Sequence, residues 1–145
     1  MFMIYDSLEY EKVWSSFFKH AKPSQFSIYI HSKNGKTKLK DKLFTDAIIP
    51  SVPTKWGDLL YAEMQLFKYA YRKKSNQIFV LVSNSTIPLK SFDYVYNSLS
   101  QRSVSYVQQG KLPSFEWHNT NLPAVGVGRS SFRKGSQWVT LIRPH

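Results

Sequence analysis

The sequence predicts a mixed α/β fold: a mostly parallel, twisted sheet with helices on both faces. Two observations predict it. Short apolar runs alternate with amphipathic helical stretches, the order of successive β-α-β units. One run, Ile78-Phe79-Val80-Leu81-Val82, is apolar without interruption, as in a strand covered on both sides. Right-handed crossovers between such strands then set the helices above and below the sheet.

Each element has its own local signal. Phe2 to Tyr5 reads as a short buried strand. Leu8 to His20 reads as a helix, with Val13, Trp14, Phe17 and Phe18 on one face. Ala21-Lys22-Pro23-Ser24 ends it. Phe26 to Ile30 is read as the second strand. Lys33 to Lys42 holds five Lys and a Gly and reads as an exposed loop. Leu43 to Ile49 is a candidate for a further short strand. The clearest helix runs from about Asp58 to Tyr71, because Leu59, Leu60, Met64, Phe67 and Tyr71 recur at helical spacing. Asp58 suits its positive end, and Arg72, Lys73 and Lys74 suit its negative end. Gln77 to Val82 is the best inner strand. Ser91 to Leu99 reads as a helix with Ser91 as N-cap. Val104 to Val107 reads as a strand, Gly110 to Arg133 as irregular chain, and Gln137 to Ile142 as the final strand. A single domain over residues 1–145 is expected at this length.

Composition narrows the function classes. Hydrophobic residues make up 42% and aromatic residues 16%, enough for one core. There is no Cys, which excludes a disulfide framework, thiolate chemistry and Cys-based zinc fingers. No apolar run approaches the roughly 18 residues that span a bilayer. Met1 to Asp6 is no signal peptide, since its apolar stretch is short and an acid follows at once. With neither signal nor transmembrane segment, a cytoplasmic location stays open. The net charge of +11 favours an anionic partner: nucleic acid, anionic lipid or a phosphorylated small molecule. The charges are scattered, so a solvated basic surface is the alternative. The Lys-rich run has no aromatic for base stacking, which disfavours nucleic acid.

In open α/β sheets, ligands sit at the carboxyl ends of the strands. Tyr5-Asp6, Ile30-His31 and Val82-Ser83-Asn84 fall at those ends.

Three segments carry a resemblance: Pro50-Ser51-Val52-Pro53-Thr54-Lys55-Trp56-Gly57, Ser83-Asn84-Ser85-Thr86-Ile87-Pro88-Leu89-Lys90 and Phe132-Arg133-Lys134-Gly135-Ser136-Gln137-Trp138. Tyr29-Ile30-His31-Ser32 and Ser75-Asn76-Gln77-Ile78-Phe79-Val80-Leu81 add two more in the correct order. Together they resemble the N-terminal half of the core-2/I-branching glycosyltransferase family, most closely its plant, brittle-culm-type branch. The resemblance implies a nucleotide-diphospho-sugar transferase (GT-A-like) fold. It implies inverting, metal-independent transfer of a sugar, typically N-acetylglucosamine, from a uridine diphosphate donor to an acceptor hydroxyl. The implied partners are a UDP-sugar donor and a glycan or glycoprotein acceptor. No cofactor and no metal are implied. The Asp residues stand at 6, 41, 46, 58 and 93, so there is no D-x-D. Relatives of this kind are Golgi type II membrane proteins.

Resemblance and strand-end placement nominate Ile4, Tyr5, His31, Lys33, Trp56, Ser83, Asn84, Ser85, Gly135 and Ser136 as donor-binding residues. Each has a plainer alternative. His31 either neighbours the nucleotide or is hydrogen-bonded at the sheet rim. Trp56 either walls the pocket or packs as a helix staple. Ser83 to Ser85 either line the pocket or make a turn. Gly135 and Ser136 either admit a ligand to the backbone or make a tight turn. Three departures from the family pattern stand out. Lys33 occupies a place where an acid is common, Asn84 replaces a Glu, and Glu116-Trp117-His118-Asn119-Thr120 replaces a stretch with two Arg. In the family the base is a Glu in a D-E-x-x motif well after G-S-Q-W, and the diphosphate-binding cations follow it. Both would lie beyond His145, so no catalytic residue is assigned and a truncated or degenerate homologue, inactive alone, is expected. Two rivals remain: a non-catalytic module binding a nucleotide sugar or glycan, and a basic nucleic-acid-binding domain.

Overall fold

A computed structural model describes residues 1–33, 35–55, 57–110, 123–131, 133 and 135–144. The elements run β1 (Phe2–Ile4), α1 (Glu11–Phe18), β2 (Ile30–Ser32), α2 (Lys42–Thr45), α3 (Leu60–Arg72), β3 (Ile78–Val80), β4 (Val82–Ser83), α4 (Phe92–Ser100) and β5 (Thr140–Ile142). Short 3-10 turns lie at Pro123–Val125 and Arg129–Ser131.

Strand β1 is the middle of a parallel sheet of order β2-β1-β4. Phe2 pairs with Ile30 and Val82, and Met3 with His31 and Ser83. Strand β3 pairs antiparallel with β5, Ile78 opposite Ile142 and Val80 opposite Thr140. Strands β3 and β4 form one extended segment whose partners change at Leu81. The Leu81 N–H donates to the Val139 carbonyl on one side, and the Val82 N–H donates to the Met1 carbonyl on the other, each at 3.0 Å. The expected single inner strand Gln77 to Val82 is thus two short strands, β3 paired antiparallel with β5 and β4 paired parallel with β1.

Side-chain alternation along β1 makes two cores. Phe2 and Ile4 join Leu8, Trp14, Ile30 and Phe44 on the side of α1 and α2. Met3 joins Ile49, Ala62, Leu66 and Leu81 on the side of α3. Helices thus cover both faces. Phe44 and Leu66 are fully buried, each contributing about 1.5–3 kcal/mol by removal from water. Trp14 meets Phe2 edge-on at 4.9 Å, and its indole N–H donates to the Thr86 carbonyl at 2.9 Å.

Several expected elements differ. Helix α1 starts at Glu11, because Leu8 is drawn into the core and the chain turns at Glu9 and Tyr10. Phe26 to Tyr29 does not pair as a strand; Phe26 stacks on Phe18 at 4.7 Å, and pairing begins only at Ile30. Leu43 to Ile49 is not a strand. Asp41 caps a helical turn there, accepting the Leu43 N–H at 2.9 Å, and only Ile48 bridges to Ile30. Val104 to Val107 is reduced to one bridge, Tyr106 to Thr140, because this exposed stretch has no further partner strand among the described residues. Helix α4 forms as expected, with Ser91 Oγ accepting the Tyr94 N–H.

Candidate functional site at the strand carboxyl ends

Parallel pairing brings the carboxyl ends of β1, β2 and β4 to one edge of the sheet. Tyr5, Lys33 and Asn84 emerge there together. The Lys33 N–H donates to the Tyr5 carbonyl at 3.0 Å. The Lys33 ammonium lies 4.8 Å from the centre of the Tyr5 ring, and that ring is 58% exposed. Among the described residues this ammonium has no carboxylate partner. On the other side of β1, Asn84 Nδ2 donates to Glu9 Oε1 at 2.9 Å, and the Glu9 N–H donates to the Asn84 carbonyl. Ser83 and Ser85 place their hydroxyls 3.3 Å apart, and Thr86 Oγ1 donates back to the Ser83 carbonyl at 2.8 Å. These bonds make a turn at the carboxyl end of β4.

The remaining nominated residues separate from this group. The Ile4 side chain is buried among Phe2, Trp14 and Phe44 and packs the core. His31 is buried, and its Nε2 accepts the Val52 N–H at 3.0 Å. Burial pushes this imidazole below its ordinary value, outweighing the opposing backbone hydrogen bonds. Ser51 Oγ donates to the Ser32 carbonyl at 2.7 Å, so His31 and Ser32 together fasten the Pro50-Ser51-Val52 loop. His31 thus makes the rim hydrogen bond that was one of its two expected roles. Ser32 Oγ is buried with no hydrogen-bond partner among the described residues. Trp56 lies outside the described residues. Gly135 approaches backbone rather than open space: a Cβ there would stand 2.3 Å from the Gln108 carbonyl oxygen. Ser136 Oγ accepts the Trp138 N–H at 3.1 Å, a turn that leads into β5.

Two rim features carried no sequence signal. Asp6 pairs with Lys38 at 2.6 Å, and the Lys38 hydrogen bond holds its carboxyl below the usual range. Glu11 Oε1 accepts the Lys40 and Asp41 N–H groups. The Lys-rich loop is therefore fastened at two places. Asp6, directly after β1, was readable as a strand-end acid; its partner 32 residues on was not.

Two cavities lie elsewhere. One of about 490 Å³ runs along β5, between Leu81, Tyr106, Gln108 and Trp138. A groove of about 540 Å³ lies at the amino ends of the strands, lined by Phe2, Phe26, Ile78, Phe92 and Tyr96 among others. Among the described residues no charged side chain lines that groove, which disfavours a diphosphate there. The strand-end rim is the candidate site. It brings together an aromatic face, a cation with no carboxylate partner among the described residues, hydroxyls and an amide. Among the described residues, no group of three or more His, Cys, Asp or Glu is placed to hold a metal ion.

The core-2/I-branching enzyme family model matches residues 1–145. The chain belongs to this family. Its mixed α/β structure, with a parallel sheet at the centre, is the GT-A-like glycosyltransferase fold of that family. The chain is also 30% identical over 152 residues to glycosyltransferase BC10 of rice, Oryza sativa subsp. japonica. That alignment covers 100% of this chain and 38% of the rice protein. Both matches agree with the resemblance carried by the sequence motifs. No helix among the described residues is long and apolar enough to cross a membrane.

Proposed function

We propose that this chain holds the nucleotide of a uridine diphosphate sugar for transfer of the sugar, typically N-acetylglucosamine, to an acceptor hydroxyl on a glycan or glycoprotein. The observation that carries this reading is the unpaired Lys33 ammonium over the exposed Tyr5 ring, where three parallel strands end. Tyr5 offers a face to the base, Lys33 a positive charge to the phosphate or uracil oxygens, and Ser83, Asn84 and Ser85 hydrogen bonds to the ribose. Lys33 stands where relatives commonly carry an acid, which shifts the rim toward anionic ligands.

Transfer with inversion needs two things. A base must take the acceptor proton as its oxygen attacks the anomeric carbon, and positive charge must receive the leaving diphosphate. The two acids described at the rim are engaged. Asp6 is held by Lys38 and is a weak base, and Glu9 is tied to Asn84. We therefore infer slow transfer by the 145-residue chain alone. The same observation favours a second reading, a non-catalytic nucleotide-sugar-binding module. Titrating the isotopically labelled chain with UDP in the presence of a chelator tests the first reading. It predicts perturbation first at Tyr5, Lys33 and Ser83 to Ser85. Perturbation confined to Lys36 to Lys42 would refute it and support a plain polyanion surface. A transfer assay with several UDP-sugars separates the two readings. Saturable turnover would remove the module, and binding without turnover would favour it.

A further inference from the structure

Helix α3 presents a solvent face unlike that of the other described helices. Its inward stripe is Ala62, Leu66 and Ala70, all buried. At about 100° per residue, the opposite arc holds Leu60, Tyr61, Met64, Lys68, Tyr71 and Arg72. All of these are exposed. Four are large apolar or aromatic side chains: Leu60 at 60%, Tyr61 at 68%, Met64 at 58% and Tyr71 at 49%. The other two are cations, and the arc contains no acid. Glu63 lies on the flank, half-buried. A third cation joins at the carboxyl end, where the Arg143 guanidinium sits 3.8 Å from the centre of the Tyr71 ring.

The contrast within the molecule is informative. The exposed positions of α1 are Lys12, Val13 and Ser16, with one apolar side chain. Those of α4 are Asp93, Tyr94, Asn97 and Ser100, with one aromatic and an acid. Single exposed apolar residues are ordinary. Four in one arc, interleaved with cations only, form the pattern of a helix lying in a bilayer interface. There Leu and Met enter the acyl boundary, Tyr sits among the headgroups, and Lys and Arg snorkel to the phosphates. Charge complementarity selects the occupant. A second copy of a chain with a net charge of +11 would set cation against cation. A bare polyanion would leave Leu60 and Met64 without an apolar partner. We infer that the outer face of α3 is a docking surface for an anionic lipid bilayer. This inference stands apart from the donor reading, since α3 and the strand-end rim share none of these residues.

The experiment is co-sedimentation of the 145-residue chain with vesicles of phosphatidylcholine alone or with phosphatidylserine added. Binding is expected to the second and not to the first. Because the tested positions are exposed, the variants should keep the fold, which circular dichroism and melting verify. The pair Leu60→Ser and Met64→Ser should lower affinity for anionic vesicles by about tenfold. The pair Lys68→Glu and Arg72→Glu should lower it by about 25-fold or more, at about fivefold for each cation lost. The control pair Lys36→Glu and Lys40→Glu removes the same charge elsewhere and should have a clearly smaller effect. Four results would overturn the inference. They are no binding to anionic vesicles, wild-type binding by the Leu60/Met64 variant, equal loss in the control pair, and a concentration-dependent dimer that the Leu60/Met64 variant abolishes. The last would make a second copy the occupant.

Discussion

The two ends of the parallel sheet are built from the same three strands and have opposite chemistry. At the carboxyl end stand an exposed Tyr5 ring, the Lys33 ammonium and the hydroxyls of Ser83 and Ser85. At the amino end lies a groove of about 540 Å³ with no charged side chain in its lining. A diphosphate needs positive charge as well as donors, and among the described residues this groove offers donors such as Ser27, Asn76 and Gln77 but no charged side chain. Chain direction explains the asymmetry: loops leaving parallel strands converge at the carboxyl end, while aromatic residues of α1 and α4 close over the amino end. The proposed nucleotide site rests on this difference in chemistry and not on volume.

The comparison can be broken most forcefully at the amino end. Phe2 packs edge-on against Trp14 and against Phe44, so Phe2→Ala should cost about 3–5 kcal/mol in urea unfolding. Nucleotide affinity of the folded fraction should hardly change. A large loss of affinity at constant stability would mean that the amino end takes part in binding. Next in size is Gly135→Ala. The added Cβ meets backbone at 2.3 Å, so Gln108 or Gly135 must move, at about 1–3 kcal/mol. If the melting temperature holds, the close approach there is not a packing contact.

The carboxyl end carries the pH dependence. His31 is pushed below its ordinary value of 6.5 by burial, so the folded chain keeps the imidazole neutral. The unfolded chain binds that proton first. Stability from this group is therefore complete above about pH 6.5 and declines as the pH falls below it. Urea midpoints of wild type and His31→Gln, compared from pH 7 down to 5, test this. The variant should show a flatter slope; parallel slopes would remove His31 as the cause. The smallest effect belongs to Ser32. Its buried hydroxyl has no partner among the described residues, so Ser32→Ala should leave stability unchanged or raise it by about 1 kcal/mol. A clear destabilisation would reveal a hydrogen bond to a residue outside the described set.

These cases also show what was readable from residues alone. Helices α3 and α4 and strand β1 were legible because their signals are local: spacing along α3, the Ser91 cap, the short apolar run at the start. Helix α2 was not, because one turn is too short to show a period; Asp41 as a cap was its only mark. The strand expected from Phe26 failed because Phe18 and Phe92 capture that ring, a tertiary effect without sequence spacing. Strand-end placement and the family resemblance together nominated Tyr5, Lys33 and Ser83 to Ser85, and these residues do lie at the strand carboxyl ends. Neither showed that His31 accepts the Val52 N–H, since that donor is 21 residues away. The pairing of Asp6 with Lys38 went unremarked for the same reason.

The central claim rests on one cation. Lys33→Ala removes the charge of a half-exposed side chain with no carboxylate partner among the described residues, so stability should change by no more than about 1 kcal/mol. Losing one charge-assisted contact to the nucleotide should weaken UDP binding by about tenfold. Measuring UDP affinity of wild type and Lys33→Ala by calorimetry, at two salt concentrations with chelator present, tests this most directly. The predicted result is a tenfold loss that persists at the higher salt. Equal affinity in the two proteins, or binding that collapses with salt in both, would contradict a nucleotide site at the strand carboxyl ends.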